Sequence, residues 1–137
     1  MTQEDRMNAS NAIELTMAGI AAFNRNDIEA VGRYYAPDFT YTIRGHSAVS
    51  GVYHGWDELA RGLRHIKELT AGTLAGTPEV VVADGDNVMM YMHVTGTRPD
   101  GRIYDNYQAY LYRIRDGMVV EGQTIPVDHQ AFAEFMA

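Results

Sequence analysis

The sequence predicts an α+β fold in which helices come first, a curved antiparallel sheet follows, and the helices cover one face of that sheet. Two observations carry this. Apolar residues recur at helical spacing through the first third of the chain, and runs of strand-forming residues joined by tight turns fill the second half. Sequential strands with short connections pair as an antiparallel meander. The 137 residues match the length of one ordinary domain, so residues 1–137 are read as a single unit.

Ile13, Met17, Ile20 and Ala21 mark the first helix, with Asn11 and Glu14 as a candidate cap pair. The pattern breaks at Asn24 to Asn26. A second helix follows, capped by Asp27, with Ile28, Val31 and Tyr35 as its stripe and Pro37 as its end. Residues 39–43 alternate as a strand, and residues 52–54 form a short one. Gly55 leads into a third helix that carries Trp56, Leu59, Leu63 and Ile66 on one face. Strands are expected at 79–83, 88–97, 102–113 and 118–126, with turns at 84–87, 98–101 and 115–117. Residues 128–136 can close the chain with a helical turn or two.

The strand ending in Arg113 is unusual. One face reads Tyr104, Asn106, Gln108, Tyr110, Tyr112; the other reads Asp105, Tyr107, Ala109, Leu111, Arg113. A half-buried strand normally sorts apolar from polar residues. Here the better-packed face is aromatic and rich in hydrogen-bonding groups.

Composition excludes several function classes. The net charge is −7, with 11 basic against 18 acidic residues, which disfavours nucleic acid and anionic membranes as partners. Without cysteine there are no disulfides, thiolate metal sites or cysteine nucleophiles. No apolar stretch is long enough to span a bilayer, and the N-terminus is polar and acidic, unlike a signal peptide, so a cytoplasmic location is expected. The histidines form neither HxH nor HExxH, so no metal site is expected.

The segments AAFNRNDIEAVGRYYAPDFTYTI, SGVYHGWDEL and DGRIYDNYQAYLYRIRDGMVVEGQ, in that order, give the chain a resemblance to the nuclear transport factor 2-like superfamily. Within it the chain is most similar to SnoaL-like polyketide cyclases and ketosteroid-isomerase-like proteins. The resemblance implies a cone-shaped NTF2-like or cystatin-like α+β barrel, with a strongly curved antiparallel sheet wrapped around the N-terminal helices. It also implies a deep pocket on the concave face and a homodimer through the convex face. Tyrosine suits both faces, and methionine suits a pocket wall. Members of the superfamily include isomerases, cyclases, dehydratases, epoxide hydrolases and binding modules, so the fold leaves the reaction open.

Carrying the family's residues over narrows the chemistry. The carboxylate base and tyrosine donor of ketosteroid isomerases fall on Ile43 and Gly19, which argues against that reaction. An epoxide-hydrolase Arg-x-Asp matches only Arg98-Pro99-Asp100, in a turn. The acid/base aspartate of the polyketide cyclases falls on Asp128, which shares an inward parity with Gly122, Thr124 and Pro126. A carboxylate desolvated there would have a raised pKa and could shuttle protons. Tyr110 and Gln108 on the neighbouring strand could donate to an enolate oxygen. Asp128 can equally be a helix N-cap, and Tyr110 a packed strand tyrosine. Tyr41, His46, Trp56 and His93 complete the candidate substrate-binding set. The alternatives are a plain loop role for His46, a satisfied sheet histidine for His93 and core packing for Trp56.

The expectation is a cofactor-free acid/base enzyme, a cyclase, isomerase or dehydratase. Its substrate would be a small, largely apolar carbonyl compound. A non-catalytic small-molecule-binding or dimerisation module of the same fold is the alternative.

Overall fold

The computed structural model describes residues 2–137. The first helix, α1, spans Gln3–Asn24. It starts earlier than the hydrophobic pattern implies, because Thr2 and Asp5 form a reciprocal capping box. The Thr2 hydroxyl accepts from the Asp5 N–H at 3.1 Å, and the Asp5 carboxylate accepts from the Thr2 N–H at 3.0 Å. Asn11 and Glu14 therefore lie within the helix and cap nothing. Asp27 caps α2 (Ile28–Gly32), as its sequence suggests. Tyr35, expected on the stripe of that helix, and Pro37, expected to end it, instead lie at the start of the strand β1 (Tyr35–Ile43).

The remaining elements are β2 (Gly51–His54), α3 (Gly55–Leu69), β3 (Ala75–Asp84), β4 (Asn87–Thr97), β5 (Ile103–Arg115), β6 (Met118–Pro126) and α4 (His129–Met136). They form one six-stranded sheet in the order β2-β1-β6-β5-β4-β3. The meander from β3 to β6 is antiparallel throughout, as expected. The sheet as a whole is mixed, because β1 runs parallel to β6, with Tyr41 opposite Gly122 and Ile43 opposite Thr124. A parallel pair needs a long crossover, and here the β2–α3 excursion and the meander itself supply it. Local turn signals cannot report such a pairing.

The helices α1 and α3 and the short α4 close over one face of this curved sheet. Alternation along β4 puts Val88, Met90, Met92 and Val94 inside, each almost wholly buried, while Met89 and Tyr91 point away. The side-chain amide of Asn24 ties the end of α1 to β3, donating to the Gly76 carbonyl at 2.8 Å and accepting from the Gly76 N–H at 3.0 Å. At the centre, Gly122 leaves room for the Tyr41 ring. A Cβ there would lie 2.6 Å from the ring edge, so the absence of a side chain lets β1 and β6 pair beneath an aromatic residue.

Candidate functional site

The helices and the sheet enclose a cavity of about 90 Å³, against the roughly 10–15 Å³ that one water needs. Its apolar wall comes from α1 (Leu15, Ile20, Phe23), α3 (Leu59, Leu63, Ile66), β4 (Met92, Val94) and α4 (Phe132, Met136). Met92 and Met136 bear out the expected methionine lining, whereas Met7, Met17 and Met89 are exposed. Ile43 and Gly19, the positions to which the isomerase base and donor carry over, do border the cavity and bring no polar side chain to it.

The polar part of the wall is rich in phenols, with Thr16 and Asn24 of α1 beside them. Tyr35 and Tyr41 from β1, and Tyr110 and Tyr112 from β5, all face the cavity, with Gln108 and Thr124 between them. Burial pushes all of these phenols up in pKa, and the proximity of their oxygens adds to the rise for Tyr35, Tyr110 and Tyr112. They stay protonated at neutral pH and act as hydrogen-bonding groups rather than bases. The Tyr41 and Thr124 hydroxyls are 2.6 Å apart.

Behind the wall, β5 carries a line of buried hydrogen bonds. Asn106 Nδ2 donates to the Tyr104 hydroxyl at 2.9 Å, which donates to Gln108 Oε1 at 2.6 Å. Gln108 Nε2 donates in turn to the Tyr110 hydroxyl at 2.6 Å. This mixed aromatic and polar face of β5 is thus a wall at one end and an internal relay at the other.

The candidate residues divide accordingly. Tyr110, Gln108 and Tyr41 line the cavity. Asp128 does not: it is exposed, and its carboxylate caps α4 by accepting from the Ala131 N–H at 2.9 Å. Inward parity holds through Pro126, but the strand ends there and the chain turns into the helix, swinging the next inward position out to solvent. His46 is exposed in the loop after β1. His93 sits on the outer face of the sheet, 2.5 Å from Asp105 and stacked on Tyr107. Trp56 packs against Tyr35 and over Gly32 and fronts an outer groove beside α3 rather than the cavity. Among the described residues, no cluster of three or more His, Cys, Asp or Glu side chains could hold a metal.

Sequence reading missed Tyr35 and Tyr112 as cavity residues, and Asn106 and Tyr104 as the support behind them, whereas Thr124, on the inward parity of β6, does line the cavity. The two-residue alternation shared by Gln108, Tyr110 and Tyr112 was the available signal for Tyr112. Tyr35 was hidden by its assignment to a helix.

The SnoaL-like domain family matches residues 18–122, and the chain belongs to that family. An uncharacterized protein of Mycobacterium tuberculosis is 25% identical over 125 residues, covering 91% of this chain and 95% of its own. Among solved structures, Bal32a from a soil-derived mobile gene cassette superposes with a TM-score of 0.89 at 22% identity, over 95% of this chain and 99% of its own. TerC, co-crystallized with polyporic acid, superposes with a TM-score of 0.82 at 22% identity, over 92% and 98%. At these identities the structural likeness establishes the fold, and the fold does not choose the chemistry.

Proposed function

We propose that the cavity is a receptor for a small, neutral, largely apolar molecule carrying a carbonyl-type oxygen, and that it binds this ligand without turning it over. One observation carries the reading. Among the described residues, the wall contains no carboxylate, histidine, lysine or arginine, and its polar groups are phenols, four of which burial holds protonated, together with neutral amide and hydroxyl groups. Apolar walls with a few placed polar groups are typical of small-molecule sites. A charged ligand would meet no counter-charge there. The similar fold of TerC, crystallized with polyporic acid, agrees with a small-molecule role for this scaffold.

The acid/base enzyme is the second reading, favoured by the adjacent donors Gln108 and Tyr110. It lacks a proton acceptor in the cavity, since Asp128 is engaged at the helix end. The two readings part in one experiment. Small cyclic ketones are titrated by ligand-observed NMR and then recovered for mass analysis. The binding reading expects saturable binding, unchanged compound and equal affinity in Asp128→Asn. Consumption of any of these ketones, abolished in that variant, overturns it.

A second copy of the chain is the proposed partner, docking on the convex face. Support comes from Val80 opposite Tyr91 and Val82 opposite Met89, cross-strand pairs that leave a continuous apolar strip exposed. Sedimentation at several concentrations tests it. Dimers that dissociate in Val82→Glu are expected; a monomer at every concentration overturns it.

A further inference from the structure

The relay along β5 has a direction, and its direction is fixed outside the cavity. Asn106 lies between two backbone segments. Its Oδ1 accepts from the Tyr107 N–H at 2.8 Å and the Asp128 N–H at 3.3 Å, and its Nδ2 donates to the Asp128 carbonyl at 3.0 Å. Backbone groups cannot exchange donor for acceptor, so the Asn106 amide can sit only one way round. Its remaining N–H must therefore point at the Tyr104 hydroxyl.

Each later link follows from the one before. The Tyr104 hydroxyl, already accepting, spends its single proton on Gln108 Oε1. The reverse orientation of Gln108 would leave the buried Tyr104 proton without an acceptor, which costs about 1–3 kcal/mol. With its oxygen turned to Tyr104, Gln108 presents Nε2 to the Tyr110 oxygen. Tyr110 accepts there, and its own proton has no acceptor among the described residues and is free for the cavity that Tyr110 lines. Burial keeps that proton in place.

Resting on the receptor reading above, we infer that Tyr110 is a donor of fixed polarity which selects ligands presenting a hydrogen-bond acceptor, a ketone or quinone oxygen. Asn106 and Tyr104 are the positioning residues that set this polarity from the β6–α4 junction. A chain of bonds all pointing one way also strengthens its last donor. A ligand that can only donate finds a proton already facing it at this position.

The test uses two ligands of one shape, cyclohexanone and methylenecyclohexane, which differ by oxygen for methylene. Affinities come from ligand-observed NMR, and the carbonyl stretch of bound cyclohexanone comes from infrared difference spectra. Wild type should bind both probes and lower the carbonyl frequency relative to an apolar solvent. Tyr110→Phe should weaken cyclohexanone by about threefold to tenfold, the worth of one hydrogen bond, and leave methylenecyclohexane unchanged. Tyr104→Phe keeps every cavity side chain but frees Gln108 to turn. It should raise the carbonyl frequency part of the way back, a change that a loss of packing alone would not produce. If wild type binds neither probe, the receptor reading falls and this inference with it. If both bind, yet Tyr110→Phe leaves the cyclohexanone affinity and carbonyl frequency untouched, the cavity remains a receptor and the directed donor is overturned.

Discussion

The two faces of β5 use the same residue type in opposite ways. On the concave face Tyr104, Tyr110 and Tyr112 are withdrawn from water, and burial is the main reason their phenols resist ionising. On the convex face Tyr107 also ionises less readily, but chiefly because its hydroxyl donates to the Glu79 carboxylate at 3.0 Å. Inside, polar groups satisfy one another in a neutral line. Outside, they pair with charges: His93 with Asp105, and Arg113 with Glu121. A buried charge must be compensated or neutralised, whereas an exposed one is hydrated at little cost. The strand thus separates a neutral polar interior from an ionic surface at a period of two residues.

Neighbouring methionines on β4 give the comparison its largest test. Met90 is fully buried and Met89 is 48% exposed. Met90→Ala should cost about 2–5 kcal/mol in urea unfolding, from lost transfer energy plus the cavity left behind. Met89→Ala should stay within about 0.5 kcal/mol at concentrations where the chain is monomeric. Equal costs would mean that the outer face is buried too. Next in size is Gly122→Val, which drives a side chain into the Tyr41 ring. Overpacking of this kind costs about 1–3 kcal/mol, and it should shrink the cavity and weaken ketone binding in the same variant. Unchanged stability with unchanged binding would mean that β1 yields at no cost.

The fold was legible because its signals are local and repeat: the α3 stripe, the meander turns and the alternation of β4 and β5 all stand in the chain order. The β1–β6 parallel pair was not, since it joins residues some 80 positions apart, such as Tyr41 and Gly122. Strand parity sets which candidate side chains face inward. Tyr110 and Gln108 follow from alternation, and both reach the cavity. The reading failed at Asp128, where parity was extended one step beyond the end of β6 and a helix cap took the carboxylate instead. The cap alternative was readable in the sequence, because an Asp preceding an amphipathic stretch is a strong start signal. His93 failed for the opposite reason: its parity is the outward one, flanked by the buried Met92 and Val94.

Alkaline titration separates the faces by mechanism. The folded pKa values of Tyr35, Tyr41, Tyr110 and Tyr112 lie above the unfolded value of about 10. Their contribution to stability is therefore complete below pH of about 10 and is lost as the pH rises through the folded values. Tyrosinate absorbance from this set should appear together with loss of tertiary circular dichroism, in one cooperative step. A gradual rise in tyrosinate with the fold intact would show that water reaches the inner phenols.

The smallest expected effect lies at the His93–Asp105 pair. Its side chains are 36% and 70% exposed, so their attraction is largely screened. Asp105→Asn should change the unfolding free energy of the monomer by about 0–1 kcal/mol. The pair nonetheless lies beside the Tyr91–Tyr107 stack, within the strip proposed to meet a second copy. If that contact forms, it desolvates the pair, and the same substitution should shift the dimer dissociation constant by more than it shifts monomer stability. Sedimentation of Asp105→Asn across a dilution series reads this directly. A shift confined to the dimer places the pair in the interface. An unchanged dissociation constant leaves the pair solvated in the dimer and moves any contact towards the β3 side, where Val80 and Val82 stand.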